Sequence, residues 1–260
     1  MTEEHVPPKS SGNRGPGAVY TESDGALVVL REYAEGHSVR SLCKECNNAA
    51  SRRGLPQAYT AWRDDVAAIL QRAGAAYAKV NHTPANDLWK AHSSDGPMYL
   101  PMNHGTGVKP DQINNLHPGR IARQLLGMLL AVQGNRNLRD DNPQLVEAYF
   151  SDEPTSIESF AMHVALCNAG LGYTTGPATA GSIHLDNALK VDRSDCWFLS
   201  FAPFVIVLTR GPKSPIVAKQ IDGWLSQGVG QTFSKHDRRV QYPIADQREL
   251  LVNWLYGRGV

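Results

Sequence analysis

The chain has 260 residues, enough for one large or two small domains with proper cores. Its 42% hydrophobic and 20% charged content are ordinary for a soluble fold, and no apolar run approaches the ~20 residues that span a bilayer, so no membrane contact is expected. With 26 basic and 25 acidic side chains the net charge is +1, so any surface for a polyanion must be local. Four cysteines and an acidic, proline-containing start imply a reducing cytoplasm and no disulfide framework.

The first 56 residues differ in texture from the rest. Ser10 to Gly17 is a Ser/Gly/Pro-rich loop, Ala26 to Arg31 reads as a strand, and His37 to Leu42 alternates before Cys43 and Cys46. Gly54-Leu55-Pro56 closes this module. A strong helix over Gln57–Lys79 follows, with Tyr59, Trp62, Val66, Ile69, Leu70, Ala73 and Tyr77 on one face. Asn81 to Asn115 is loop-rich. His117-Pro118-Gly119 opens a second helix with an apolar side of Ile121, Leu125, Met128, Leu129 and Val132, stopped at Gly134-Asn135. Asn142-Pro143 begins another helical segment through Phe150.

Ser156 to Ala169 fits a helix or a strand. Trp197 to Thr209 is β-branched and aromatic, interrupted at Ala202-Pro203, and reads as a strand pair or one bent strand. Ile216–Leu225 and Gln247–Tyr256 look like short helices, and Arg239–Ile244 like a strand. The expected architecture is α+β: a small N-terminal module, residues 1–56, joined to a larger mixed domain, residues 57–260, of unassigned role.

Two strings carry chemistry: Glu4-His5-Val6-Pro7-Pro8-Lys9-Ser10 and Leu42-Cys43-Lys44-Glu45-Cys46-Asn47-Asn48. Hydrolysing a phosphodiester needs a cation to stabilise negative charge and a base to take a proton from water. Histidine titrates near neutrality, and carboxylate or amide oxygens suit a hard cation such as Mg²⁺. Adjacent side chains on a strand point to opposite faces, so Glu4 and His5 are expected at an irregular strand end beside Pro7-Pro8.

These two strings resemble the two halves of an HNH endonuclease, whose fold is a ββα-metal finger. The resemblance covers about the first fifty residues. It implies a metal-dependent DNA endonuclease that leaves a 3′-hydroxyl and a 5′-phosphate. His5 would be the general base, and Glu4 and Asn47 would hold a catalytic divalent ion such as Mg²⁺. Cys43 and Cys46 would be half of a structural Zn²⁺ site. The family's middle Asn, nine residues before the last metal ligand, orients the histidine; here that place is held by Ser38. Zinc-stapled members also carry a Cys-x-x-Cys upstream of the acidic–His pair, whereas here three residues precede Glu4 and none is cysteine. The reading is that the given start lies downstream of the missing cysteines. The alternative is a catalytically inactive nucleic-acid-binding or structural protein with a degenerate finger.

Beyond these strings the signals are weaker. His37 lies in the strand leading to Cys43 and is a candidate helper of the site. Cys167 and Cys196 read as buried small hydrophobes. Basic clusters stand at Lys109–Arg139 and at Lys235, Arg238 and Arg239. Arg120 and Arg123, at the start of the second long helix, are candidates to grip a DNA phosphate.

Overall fold

The computed structural model describes residues 2–11, 13–14, 17–23, 26–81, 99–101, 117–132, 136–166, 172–173, 178–184, 190–214, 218–232 and 241–243. Its architecture is α+β, as expected. The chain starts with β1 (Thr2–His5) and a short 3-10 turn, followed by β2 (Gly17–Ser23) and β3 (Ala26–Tyr33), which pair only with each other among the described strands. β4 (Ser38–Leu42) returns antiparallel to β1, placing Glu3 opposite Arg40, Glu4 opposite Val39 and His5 opposite Ser38.

Next, α1 (Lys44–Arg52) leaves β4 directly, capped by Cys43. Its end is closed by N–H bonds from Arg53 to Ala49 O and from Gly54 to Ser51 O, and Gly54 takes a left-handed φ of +69° that a side chain would strain. This reversal launches α2 (Leu55–Asn81), the long helix the apolar periodicity predicts, with Tyr59, Trp62 and Val66 buried. The outer part of that apolar stripe, from Ile69 onward, lies outside the described side chains.

β5 (Tyr99–Pro101) interrupts the expected loop. Pro at the first turn then starts α3 (Pro118–Ala131), which is buried along almost its whole length. α4 (Arg136–Asp140) and α5 (Pro143–Phe150) follow. α3 lies so close to its neighbours that a Cβ on Gly127 would sit 2.4 Å from the Tyr149 ring.

The ambiguous segment after Ser156 is a strand, β6 (Phe160–Leu166), because both its faces are buried and it is hydrogen-bonded into a sheet. β7 (Gly172–Tyr173), β8 (Ala178–His184), β9 (Lys190–Phe201) and β10 (Phe204–Arg210) follow; Ala202-Pro203 is the turn of the β9–β10 hairpin. Within the segment expected as a helix over Ile216–Leu225, the described residues instead form β11 (Lys219–Gln220) and a 3-10 turn over Asp222–Ser226. Gly223 within it lowers the tendency to extend a helix, and the edge of β6 supplies an alternative ladder. β12 (Gln241–Pro243) pairs with β5, inside the expected strand. The helix expected over Gln247–Tyr256 lies outside the described residues.

All pairings in the main sheet are antiparallel, in the order β11–β6–β10–β9–β7, with β8 also along β9. Trp62 of α2 stacks on Phe204 of β10 at 3.8 Å between ring centroids, while Tyr59 and Trp224 meet Trp62 edge-on. The same buried cluster runs from Val6, Val39 and Ala50 through Trp62 and α3 to Ile206 and Leu208. Packing is therefore continuous across residue 56, where sequence texture changes. No helix among the described residues is long and apolar enough to cross a membrane.

Candidate metal and acid–base site

The two chemistry-bearing strings meet in space. β1, which carries Glu4 and His5, is one strand of a two-stranded ribbon whose other strand, β4, runs straight into Cys43 and α1. α1 in turn packs against β1. The opening residues are thus fixed by a ladder, by Val6 N–H donating to His37 O at 3.1 Å, and by complete burial of Val6.

Within the ribbon, the ladder is regular from Glu3 to His5, and its one register shift falls between Thr2 and Glu3. The irregular end expected at Glu4-His5 is therefore displaced, and strand alternation separates the two side chains. Glu4, Val39 and Ser41 share one face; Glu3, His5, Ser38 and Arg40 share the other. The structure does not bring Glu4 and His5 to the same side.

On its side, Glu4 is largely buried. Burial pushes its carboxyl up to about 7, with the Ser41 hydroxyl pulling weakly the other way. Its Oε2 atom is buried and has no hydrogen-bond partner among the described residues. Tyr149 at the end of α5 feels this carboxyl: burial raises its phenol above the ordinary range, and Glu4 and Cys46 add to the rise. Asn47 stands in the first turn of α1, half-buried, its N–H bonded to Cys43 O at 3.0 Å.

The other face opens into a cleft of 270 Å³ lined by Glu3, His5, Lys9, Glu32, Glu35 and Ser38. His5 is lowered from its ordinary value by partial burial and by Lys9, against smaller upward pulls from Glu3 and Glu35. Its Nδ1 is buried without a partner among the described residues. Lys9 is bonded to Glu35 at 3.2 Å. The Ser38 hydroxyl, expected to orient the histidine, donates to the Glu3 carboxylate instead, although Ser38 stands opposite His5 in the ladder.

His37 and Asn13 hold the ribbon's entrance. Buried Asn13 donates to Pro7 O at 2.7 Å and to His37 O at 2.8 Å, and accepts from the His37 N–H at 2.8 Å. Gly36 beside it has φ +83°, and a Cβ there would fall 2.3 Å from Asn13 O. His37 thus helps through backbone and Nδ1 contacts to Val6 O, not as a ligand. Asn13, Glu3, Lys9 and Glu35 went unseen in the sequence. Glu3 had one usable signal, its spacing of two from His5 on a strand.

At Cys43 and Cys46 both thiols are free and their Sγ atoms are 2.7 Å apart; the Cys46 N–H also donates to Cys43 Sγ at 3.1 Å. The Cys46 thiol is pushed up, chiefly by its hydrogen bond with Cys43. The Glu45 carboxyl is held low by its own backbone N–H and by the Cys43 thiol. Among the described residues no three His, Cys, Asp or Glu side chains gather closely enough to hold a metal ion. The two thiols therefore do not complete a four-ligand zinc site with described residues.

The helix-start arginines have structural partners. Arg123 is fully buried and donates to Ser151 O, Gly119 O, Gln227 O and Glu153 O at 2.5–2.9 Å. Arg120 donates to Val229 O at 2.6 Å. The Arg123 guanidinium is not presented to a phosphate, because it closes the α3 start onto loops 151–153 and 227; Arg120, half-buried, is held at its Nε alone. Of the other basic candidates, Arg139 pairs with Asp140 at 2.8 Å, while Lys109, Lys235, Arg238 and Arg239 lie outside the described residues. Cys196 is buried as expected, and Cys167 lies outside the described residues.

Comparison with protein-family models, curated proteins and solved structures finds no match.

Proposed function

We propose that this chain is a metal-dependent DNA endonuclease of the HNH type. The observation that carries the reading is the pairing of β1 with β4, which sets the buried, partnerless Glu4 oxygen on the Val39 face of a ribbon that α1 contacts. A carboxyl held up to about 7 by burial, with one oxygen unsatisfied, suits a hard cation that would replace the lost solvation. Glu4 and the Asn47 amide oxygen would hold such an ion, and it would supply charge stabilisation to the phosphate.

The remaining steps belong to the chain's own side chains. His5, neutral because burial and Lys9 lower it, accepts the proton of the attacking water. Glu3, held by Ser38, and Glu35, paired with Lys9, shape the cleft around it. β1 pairs with β4 alone among the described strands, so its other edge is not taken by any of them. On this reading the phosphodiester would lie along that edge, between the Glu4 face and the His5 face. Zn²⁺ would need ligands besides Cys43 and Cys46, and no step depends on it.

The separation of Glu4 and His5 onto opposite faces favours one second reading: a nucleic-acid-binding or structural protein that does not cut. Plasmid nicking with Mg²⁺ or Mn²⁺ decides between them. On the nuclease reading nicking is metal-dependent and is lost in His5→Ala. A folded chain that never nicks DNA under varied divalent ions leaves only the second reading.

A further inference from the structure

The paired thiols at the start of α1 are not needed by the proposed hydrolysis, and among the described residues they lack the partners of a zinc site. We infer that Cys43 and Cys46 form a thiol–disulfide exchange site whose co-reactant is a small disulfide such as glutathione disulfide.

Three observations support it. The sulfurs already converge, 2.7 Å apart across one helical turn, so only a short approach separates them from a bond. The two are unequal in access: Cys43 is exposed, whereas Cys46 is half-buried behind it. Cys43 is also the N-cap residue of a nine-residue helix, with its Sγ accepting the Cys46 N–H at 3.1 Å, which holds the two residues side by side. The outer sulfur is placed to attack and the inner one to resolve.

The exchange balances as follows. The Cys43 sulfur, having lost its proton, attacks one sulfur of the disulfide; the S–S bond breaks and one glutathione leaves as a thiol after taking a proton. Cys46 then loses its proton and attacks the Cys43 sulfur, displacing the second glutathione as a thiol. The protein loses two hydrogens and gains one disulfide, and the co-reactant is reduced to two thiols. The inference is independent of whether the chain cuts DNA.

The test uses the full chain carrying Cys167→Ser, reduced, treated with chelator and then incubated with glutathione disulfide. Intact mass is expected to show loss of two hydrogens, alkylation to show loss of two reactive thiols, and peptide mapping to join Cys43 to Cys46. Adding Cys46→Ser is expected to trap a glutathione adduct on Cys43, and Cys43→Ser to trap none on Cys46. Persistence of both thiols in the otherwise native chain overturns the inference, whether or not either serine variant folds. So does an adduct that forms equally in both variants.

Discussion

Glu4 lies directly opposite Val39 across the β1–β4 ladder, so a carboxylate and a core valine share the inward face of the ribbon. The carboxyl titrates near 4.5 when solvated and at about 7 in the fold, because burial disfavours its charge. A raised folded pKa means that the folded state holds the proton more tightly. The contribution is fully present below pH 4.5 and is lost as pH rises through 7. The loss is on the order of 3 kcal/mol. Thermal denaturation in chelator should show a falling Tm across that window. Glu4→Gln should flatten the fall and be the more stable protein at about pH 8. Added Mg²⁺ or Mn²⁺ should raise Tm at that pH in the parent chain and leave Glu4→Gln unmoved.

His5 provides a kinetic counterpart. Burial first, and Lys9 second, hold the imidazole below its ordinary 6.5. A general base must be neutral, so cleavage should rise with pH through an inflection below 6.5 and then level. Lys9→Gln removes a neighbouring positive charge and should move the inflection upward. Glu35→Gln removes a negative one and should move it downward. His5→Ala should reduce cleavage by about 10²–10⁴-fold with an unchanged far-ultraviolet circular dichroism spectrum.

Arg123 joins four backbone carbonyls from residues 119, 151, 153 and 227. Its guanidinium is lowered to about 10 by burial, so it stays charged at neutral pH. Replacing it with Met leaves buried carbonyls without donors, each costing about 1–3 kcal/mol. We expect Arg123→Met to lower stability by at least about 3 kcal/mol in urea denaturation. Arg123→Lys should not recover it, since an ammonium lacks the planar fork. Any loss of DNA binding in these variants should follow the loss of folded protein.

Asn13 tests the entrance to the ribbon. Its amide donates to two carbonyls and its oxygen accepts one N–H, all buried. Asn13→Asp preserves shape but turns the donor end into a second acceptor facing Pro7 O and His37 O. The expected cost is about 2–4 kcal/mol, larger than for Asn13→Ala. Chemical denaturation of the two variants side by side checks the order.

Much of the fold was legible because periodicity records burial. The Tyr59–Trp62–Val66 stripe predicted α2, and the β-branched run broken at Ala202-Pro203 predicted the β9–β10 hairpin. Over residues 156–169 the sequence leaves helix and strand open, because β6 within them is buried on both faces and has no polar side to set a period. Ile216–Leu225 reads as a helix in isolation because the ladder partner of Lys219 and Gln220, β6, is more than fifty residues away.

For the candidate site, residue types and order in the chain determined which groups were available: Glu4, His5, Ser38, Cys43, Cys46 and Asn47. Only the tertiary structure decided which face each one takes. A strand's alternation is a rule about neighbours, whereas the position of the register shift depends on the partner strand. That shift falls one residue before Glu3, so Glu4 turns inward to Val39 and His5 outward to the cleft. Likewise, Arg120 and Arg123 read as free cations in a string of letters, yet loops far along the chain supply the carbonyls that hold them.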